Sequence, residues 1–145
     1  MTATAAATVP QNYKPTEKEP YMNSTMLAYF RQRLQQWKND IVKEADEVLH
    51  ELQHEGGLQE PDIADRASVE TEVALELRAR DRQRKLISKI YEALERIERG
   101  EYGYCEETGE PIGIKRLEAR PVATLSVEAQ ERHERMERTQ RDERE

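Results

Sequence analysis

Cysteine is almost absent from this sequence: Cys105 is the only one among 145 residues. A single cysteine cannot form a disulfide within the chain, which fits a reducing compartment. Aromatic residues are also scarce, with one Phe and one Trp, whereas charged residues make up 37% of the chain. Such a composition cannot fill a large globular core and suits long, exposed helices that share one apolar face.

Two further absences narrow the class of protein. The formal net charge is −7, so the chain lacks the positive excess with which proteins bind the phosphates of DNA or RNA. No apolar run approaches the roughly 20 residues that a membrane-spanning helix needs. The first residues have neither the basic nor the apolar stretch of a signal peptide. We therefore expect a soluble, cytoplasmic protein without a membrane role.

The pattern along the chain predicts four segments and a mainly α fold. Residues 1–22 are small and polar with three prolines, which predicts a flexible or extended leader. Residues 23–100 are predicted to form a long antiparallel coiled-coil hairpin with its tip at about 57–67. Residues 101–125 form a small knuckle, and residues 126–145 form a C-terminal helix.

The hairpin prediction rests on apolar residues spaced three or four positions apart, which places them on one helix face. They are Leu27, Phe30, Leu34, Trp37, Ile41, Ala45, Val48 and Leu52 in the first helix and Val69, Val73, Leu77, Ile87, Ile90, Leu94 and Ile97 in the second. Asn23 or Ser24 can cap the first helix, Gly56–Gly57 can end it, and Gly100 can end the second. Trp37 is expected in the core.

The knuckle sequence YGYCEETGEPIGIKRLEARP looks like a metal site that has kept one ligand. Its β-forming runs, 102–105 and 112–114, flank a TGEP turn and predict a small hairpin of two strands. Without other thiols, local packing has to hold this segment together. The side chains expected to do so are Tyr102, Tyr104, Ile112, Ile114 and Leu117.

Three stretches together resemble the DksA/TraR family of bacterial transcription factors, over roughly residues 20–138. They are PDIADRA at the tip, LELRARDRQRKLISKI in the second arm and YGYC…IGIKRLEARP in the knuckle. The resemblance implies a non-enzymatic monomer that binds RNA polymerase directly, without a DNA site, and enters its secondary channel. It further implies altered promoter-complex lifetimes, acting with the alarmone ppGpp. Ribosomal RNA promoters would be repressed and some amino-acid promoters activated.

The resemblance also implies roles for residues at the tip and on the polymerase-facing surfaces. Asp65 matches the family's tip aspartate, Ala67 lies two positions later, and Asp62 adds a second acid. Capping of the second helix is the alternative role for Asp65. Arg82 matches a position that supports polymerase contact, and Arg116 is a candidate contact with the polymerase rim. The other basic residues of the second arm can equally form a solvated helix face.

For ppGpp, Lys89 and Arg120 match basic residues of the family's site, and Leu86 matches an apolar neighbour. Convergent Lys and Arg side chains suit a pyrophosphate group. The family's third basic contact is Gln130 here, which weakens the expectation that ppGpp binds.

The family's four zinc positions correspond to Cys105, Thr108, Ser126 and Ala129. Structural zinc needs thiolate or imidazole ligands, so this set predicts a degenerate site without metal. None of the three histidines lies among these positions. Ser126 is instead expected to cap the last helix. For Cys105, packing and redox sensing both remain open, and for the whole chain a coiled-coil adaptor without transcriptional effect is the alternative function.

Overall fold

The computed structural model describes residues 8–54 and 63–144, with side chains described for residues 8–50 and 66–143. These residues form four helices and no strand: α1 Ser24–His54, α2 Ile63–Arg99, α3 Ile114–Ala119 and α4 Val127–Arg144. The predicted mainly α fold class is confirmed. Within the described part of the chain, no helix has the length and apolar content to cross a membrane.

The helix ends follow the capping residues in the sequence. Asn23 Oδ1 accepts a hydrogen bond from Met26 N at 2.9 Å, and Ser126 Oγ accepts one from Ala129 N at 3.2 Å. Both side chains thus satisfy N–H groups of a first helical turn. At the end of α2, Gly100 has a φ of 75°, a conformation that glycine adopts at little cost. These predicted ends are confirmed, while Gly56–Gly57 lies outside the described residues.

The chain divides into two compact units, one of Met1–Leu34 and Glu92–Glu145 and the other of Gln35–Tyr91. We call the first the base unit and the second the hairpin unit. Their boundaries fall inside α1 and α2 and so cut across the predicted segments. The reason is that apolar residues at one end of each long helix pack into the same core as the knuckle.

In the hairpin unit, α1 and α2 run antiparallel. Lys38 Nζ lies 5.2 Å from the centre of the Tyr91 ring, whereas Leu49 lines a groove together with Arg80. Residue numbers therefore rise along α1 as they fall along the adjacent face of α2, as the sequence predicts.

Burial along the predicted apolar face of the hairpin unit is uneven. Ile41 and Ile90 are buried, whereas Val48, Val73 and Leu77 are at least 39% exposed. Trp37 is only partly buried, so its assignment to the core is wrong. Two helices bury one face of each other and cannot enclose an indole ring on every side.

The base unit holds the main core. Phe30 and Leu34 of α1, Ile97 of α2 and Leu117 of α3 are almost fully buried. Tyr102 joins them, with its ring centre 5.6 Å from that of Phe30 and its hydroxyl donating to Pro121 O at 2.8 Å. The predicted packing of the knuckle is confirmed for its apolar side chains, although Tyr104 is only partly buried. The buried members are Tyr102, Ile112, Ile114 and Leu117.

The two predicted strands of the knuckle are wrong. Among the described residues only one isolated antiparallel bridge, between Tyr104 and Pro111, links these runs. Proline has no N–H to extend a ladder, and Ile114 already begins α3, which the sequence reading missed. Hydrogen bonds from Cys105 N to Glu110 O at 2.8 Å and from Ile112 N to Gly103 O at 2.8 Å complete the pairing.

The described part of the leader, residues 8–22, is folded into turns and packed, so the prediction of an extended segment is wrong there. The Tyr13 hydroxyl donates to Glu19 Oε1 at 2.7 Å, and the Tyr13 ring meets Tyr29 edge to face at 5.7 Å. Met22 is 9% exposed. Aromatic and sulfur side chains thus hold parts of this non-helical segment against the base unit.

The contact between Met22 and Gly103 can be tested by substitution. A Cβ added at Gly103 would lie 2.7 Å from Met22 Cγ, whereas at Gly109 it would meet nothing within 4 Å. Both glycines have positive φ, so each change to alanine costs about 1–2 kcal/mol in backbone strain. We expect Gly103→Ala to lower the free energy of unfolding by roughly 1–3 kcal/mol more than Gly109→Ala, through overpacking. Urea unfolding measures both, and equal losses would contradict the contact.

Candidate functional site

The tip of the hairpin lies mostly outside the described residues. Asp62 is outside them, and the side chain of Asp65 is not described, but Asp65 belongs to the first turn of α2, which begins at Ile63. Asp65 is therefore inside the helix, and its assignment as the helix cap is wrong. A carboxylate in a first turn still interacts favourably with the positive end of the helix dipole. Ala67, two residues further on, is exposed.

Four cations form one exposed row along α2, here called the basic stripe: Arg78, Arg82, Lys85 and Lys89. Their spacing of four, three and four residues places them on one side of the helix. Lys85 Nζ lies 3.2 Å from Asp81 Oδ2, but the part of the chain with described side chains offers no ion-pair partner to Arg82 or Lys89. Leu86 lies beside the row and is partly buried. The stripe presents uncompensated positive charge on an acidic protein.

Arg116 and Arg120 lie at α3, and the structure gives them different environments. Arg116 Nε donates to Leu125 O at 2.9 Å, so this side chain ties α3 to the segment before α4. The Arg120 side chain is exposed, and its backbone N donates to Arg116 O at 2.7 Å. Gln130, on α4, donates from its amide to Glu134 Oε1 at 3.3 Å. Arg116, the predicted polymerase contact, is partly buried, whereas Arg120, predicted for the ppGpp site, is exposed.

Each of the four zinc positions has a different structural role. Cys105 is 3% exposed, and Ala129 is fully buried. The Thr108 hydroxyl accepts a hydrogen bond from Glu110 N at 3.2 Å, and Ser126 caps α4 as described above. Two hydroxyls, a methyl group and one thiol do not fit structural zinc, which takes thiolate or imidazole ligands. Across the described residues, no three His, Cys, Asp or Glu side chains gather as a metal site.

The Cys105 sulfur lies among hydrogen-bond donors. Burial raises the pKa of Cys105, but donors outweigh it and bring the pKa to about 6: the Thr108 hydroxyl and the backbone N–H groups of Ser126, Thr108 and Glu107. Because the Thr108 oxygen already accepts from Glu110 N, its proton is free to point at the sulfur. The former metal position thus favours an anionic thiolate without a metal.

Sequence reasoning missed the role of Arg96. Its Nη2 donates to Tyr104 O at 2.7 Å and to Glu101 O at 3.1 Å, and Nη1 lies 3.3 Å from Glu106 Oε1. The Arg96 side chain is only 11% exposed. A basic residue in the last turn before a helix-ending glycine is the available signal, because such side chains often bind carbonyls near a helix end.

The side chains at the four zinc positions predict that the fold does not depend on zinc. Protein purified without chelator should contain far less than one zinc per chain, measured by elemental analysis. Excess EDTA should leave the midpoint of thermal unfolding unchanged. One zinc per chain, with a lower midpoint in EDTA, would contradict the assignment.

The Cys105 environment predicts a pH-dependent stability. Since the folded pKa of about 6 lies below the ordinary value of 9.0, the unfolded chain binds more protons at this site between those pH values. The contribution of the thiolate to stability is present above pH 9 and is lost as the pH falls through about 6. We expect the stability difference between the wild type and Cys105→Ser to grow from pH 6 to pH 9 in urea unfolding under reducing conditions. A difference independent of pH would contradict an ionised thiol.

Comparison with known proteins places these features in a family. Residues 26–97 match the model "DnaK suppressor protein DksA, N-terminal domain", and residues 100–135 match "Prokaryotic dksA/traR C4-type zinc finger". The second match holds although only one of the four cysteines is present.

Individual relatives cover most of the chain. An RNA polymerase-binding transcription factor DksA from Caulobacter vibrioides is 61% identical over 91% of this chain and 92% of its own length. The protein of that name from Escherichia coli K12 is 46% identical over 85% of this chain and 80% of its own length. The solved structure of transcription factor DksA2 from Pseudomonas aeruginosa aligns with a TM-score of 0.73 and 43% identity, over 81% of this chain and 90% of that one. The chain therefore belongs to the DksA/TraR family.

Proposed function

We propose that this protein is an RNA polymerase-binding transcription regulator that enters the secondary channel of the polymerase and alters promoter-complex stability. One observation carries the proposal: the 61% identical relative, matched over 92% of its length, has the name RNA polymerase-binding transcription factor DksA. At that identity the surface that binds a partner is expected to be largely retained. The protein acts as a monomer in the cytoplasm, without catalysis and without a DNA site of its own.

The basic stripe supports a protein partner with an acidic surface. Arg82 and Lys89 are exposed on a chain whose formal net charge is −7, which argues against a nucleic-acid backbone as the target. Positive groups in one row steer association with a complementary acidic surface and fix its register. Arg82 is the proposed polymerase contact in this row. Arg116, on α3, is the second proposed polymerase contact, and the exposed Arg120 at the end of the same helix adds positive charge beside it.

In this proposal the tip carries the carboxylate that acts on the polymerase. Asp65 carries the functional carboxylate, with Ala67 and Asp62 as its neighbours. The position of Asp65 in the first turn of α2 means that the carboxylate is not needed as the helix cap. In this proposal the charge of Asp65 acts on the polymerase, and its removal should cost the protein little stability.

The alarmone ppGpp is the proposed co-regulator at the interface with the polymerase, and Lys89, Arg120 and Leu86 are the residues that match the family's ppGpp site. The site has one cation fewer than the family pattern, because Gln130 replaces a lysine and its amide hydrogen-bonds Glu134. Binding is accordingly expected to be weaker than with three cations. Repression of ribosomal RNA promoters and activation of some amino-acid promoters are the proposed outcomes.

Promoter-complex decay tests the proposal through Asp65→Asn. Polymerase on a ribosomal RNA promoter is challenged with wild type, Asp65→Asn or the control Asp81→Asn. Asp81 is a 57% exposed acid on the same helix, and its ion pair with Lys85 is worth at most about 1 kcal/mol. Wild type and Asp81→Asn should shorten complex lifetime, whereas Asp65→Asn should bind polymerase equally well and have little effect.

Each protein is assayed with and without ppGpp, which separates the two parts of the proposal. A further shortening of lifetime by ppGpp is expected with wild type and should be lost in Lys89→Ala. No effect of ppGpp on wild type would refute the alarmone site while leaving polymerase regulation intact. If no variant binds polymerase, the regulator proposal fails and the coiled-coil adaptor takes its place.

A further inference from the structure

Tyr21, the residue two before the cap of α1, reaches into the knuckle. Its hydroxyl donates to Gly103 O at 2.7 Å and accepts from Gly113 N at 3.0 Å. Its ring meets that of Tyr104 edge to face at 5.5 Å. Burial raises the pKa of Tyr21, so the hydroxyl keeps the proton that the first of these bonds requires. One leader side chain therefore joins two points of the knuckle backbone that are ten residues apart.

The knuckle has few other bonds across this gap. Its two sides share a single isolated bridge, and Pro111 has no N–H to donate. Ile112 N donates to the same carbonyl, Gly103 O, at 2.8 Å, so this oxygen accepts from both Ile112 and Tyr21. Nearer the turn, Cys105 N donates to Glu110 O at 2.8 Å and Gly109 N donates to Cys105 O at 2.9 Å, so the Tyr21 hydroxyl adds its link at the other end of the knuckle, between Gly103 and Gly113.

The second partner of Tyr21 is the residue that begins a surface element. Gly113 is the N-cap of α3 and offers no side chain to satisfy the first N–H groups of that helix. The Tyr21 hydroxyl accepts the N–H of Gly113 itself and fixes where α3 starts. At the other end of this six-residue helix lies Arg120, whose side chain is exposed. One of the groups that hold the start of α3 thus lies outside the knuckle.

Met22 shows that the adjoining backbone is under constraint. Its φ is 53°, which is unfavourable for a residue with a side chain. Met22 is only 9% exposed, and its side chain packs against Gly103. Backbone strain of about 1–3 kcal/mol persists only where surrounding contacts determine the conformation. The packing of Met22 and the two hydrogen bonds of Tyr21 are such contacts.

We propose that Tyr21 is a positioning residue: its hydroxyl fastens the leader across the knuckle and sets the orientation of α3, and with it Arg120. The leader then helps to orient the surface that carries Arg120. The consequence for polymerase binding rests on the proposed function, whereas the fastening itself does not.

Amide hydrogen exchange of the full chain tests the fastening. Tyr21→Phe keeps the ring and removes the hydroxyl, and Tyr13→Phe is the matched control because its hydroxyl donates to Glu19 within the leader and has no hydrogen bond to the knuckle among the described residues. Loss of one hydrogen bond should speed exchange of the Gly113 amide about five- to tenfold in Tyr21→Phe. Tyr13→Phe should leave it unchanged, and amides of the hairpin unit should be unaffected in both. Equal Gly113 exchange in the two variants would overturn the proposal.

A double-mutant cycle tests the positioning of Arg120. Dissociation constants for polymerase are measured for wild type, Tyr21→Phe, Arg120→Ala and the double variant. Tyr21→Phe should weaken binding several-fold when Arg120 is present and much less in the Arg120→Ala background, because the effects of coupled residues are non-additive. A purely structural loss would weaken both backgrounds equally and would refute positioning. If wild type does not bind polymerase, the proposed function fails, and the exchange experiment still decides the fastening.

Discussion

The base unit depends on hydrogen bonds that reach the knuckle from outside it. Arg96 binds the carbonyls of Glu101 and Tyr104 just after α2 ends, and the Tyr21 hydroxyl donates to Gly103 O. These bonds are directed at backbone carbonyls in a segment that has no strand ladder among the described residues. Side chains that lie far apart in sequence thus do the work that a metal ion does in a four-ligand site.

Periodicity explains how much of the fold could be predicted. Spacing of three and four residues sustained over many turns identified both long helices, and at Phe30, Leu34 and Ile97 the predicted face is buried. The pattern does not say how much of that face a single neighbouring helix can cover, so Trp37 and Leu77 were misjudged. α3 was missed because six residues are too few for a period to show, and its Ile114 read as strand.

The candidate site was predictable where chemistry depends on residue type alone. Thiol, hydroxyl and methyl groups exclude a four-ligand zinc site from the sequence, and Ser126 was identifiable as a cap. The hydrogen-bond donors around the Cys105 sulfur could not be predicted from the sequence, because three of them are backbone N–H groups, which every sequence contains. The part played by Tyr21 was hidden for a similar reason: its partners are the backbone atoms of two glycines.

The uneven burial of the hairpin unit has a consequence for variation. Side chains such as Leu75 and Leu77 are more than half exposed, so replacing them removes little buried surface and few contacts. Most substitutions there should be close to neutral for folding, whereas those at Ile90 or Phe30 should not. The outer surface of the hairpin unit can therefore change its chemistry at little cost to folding, so the fold places few limits on which residues stand there.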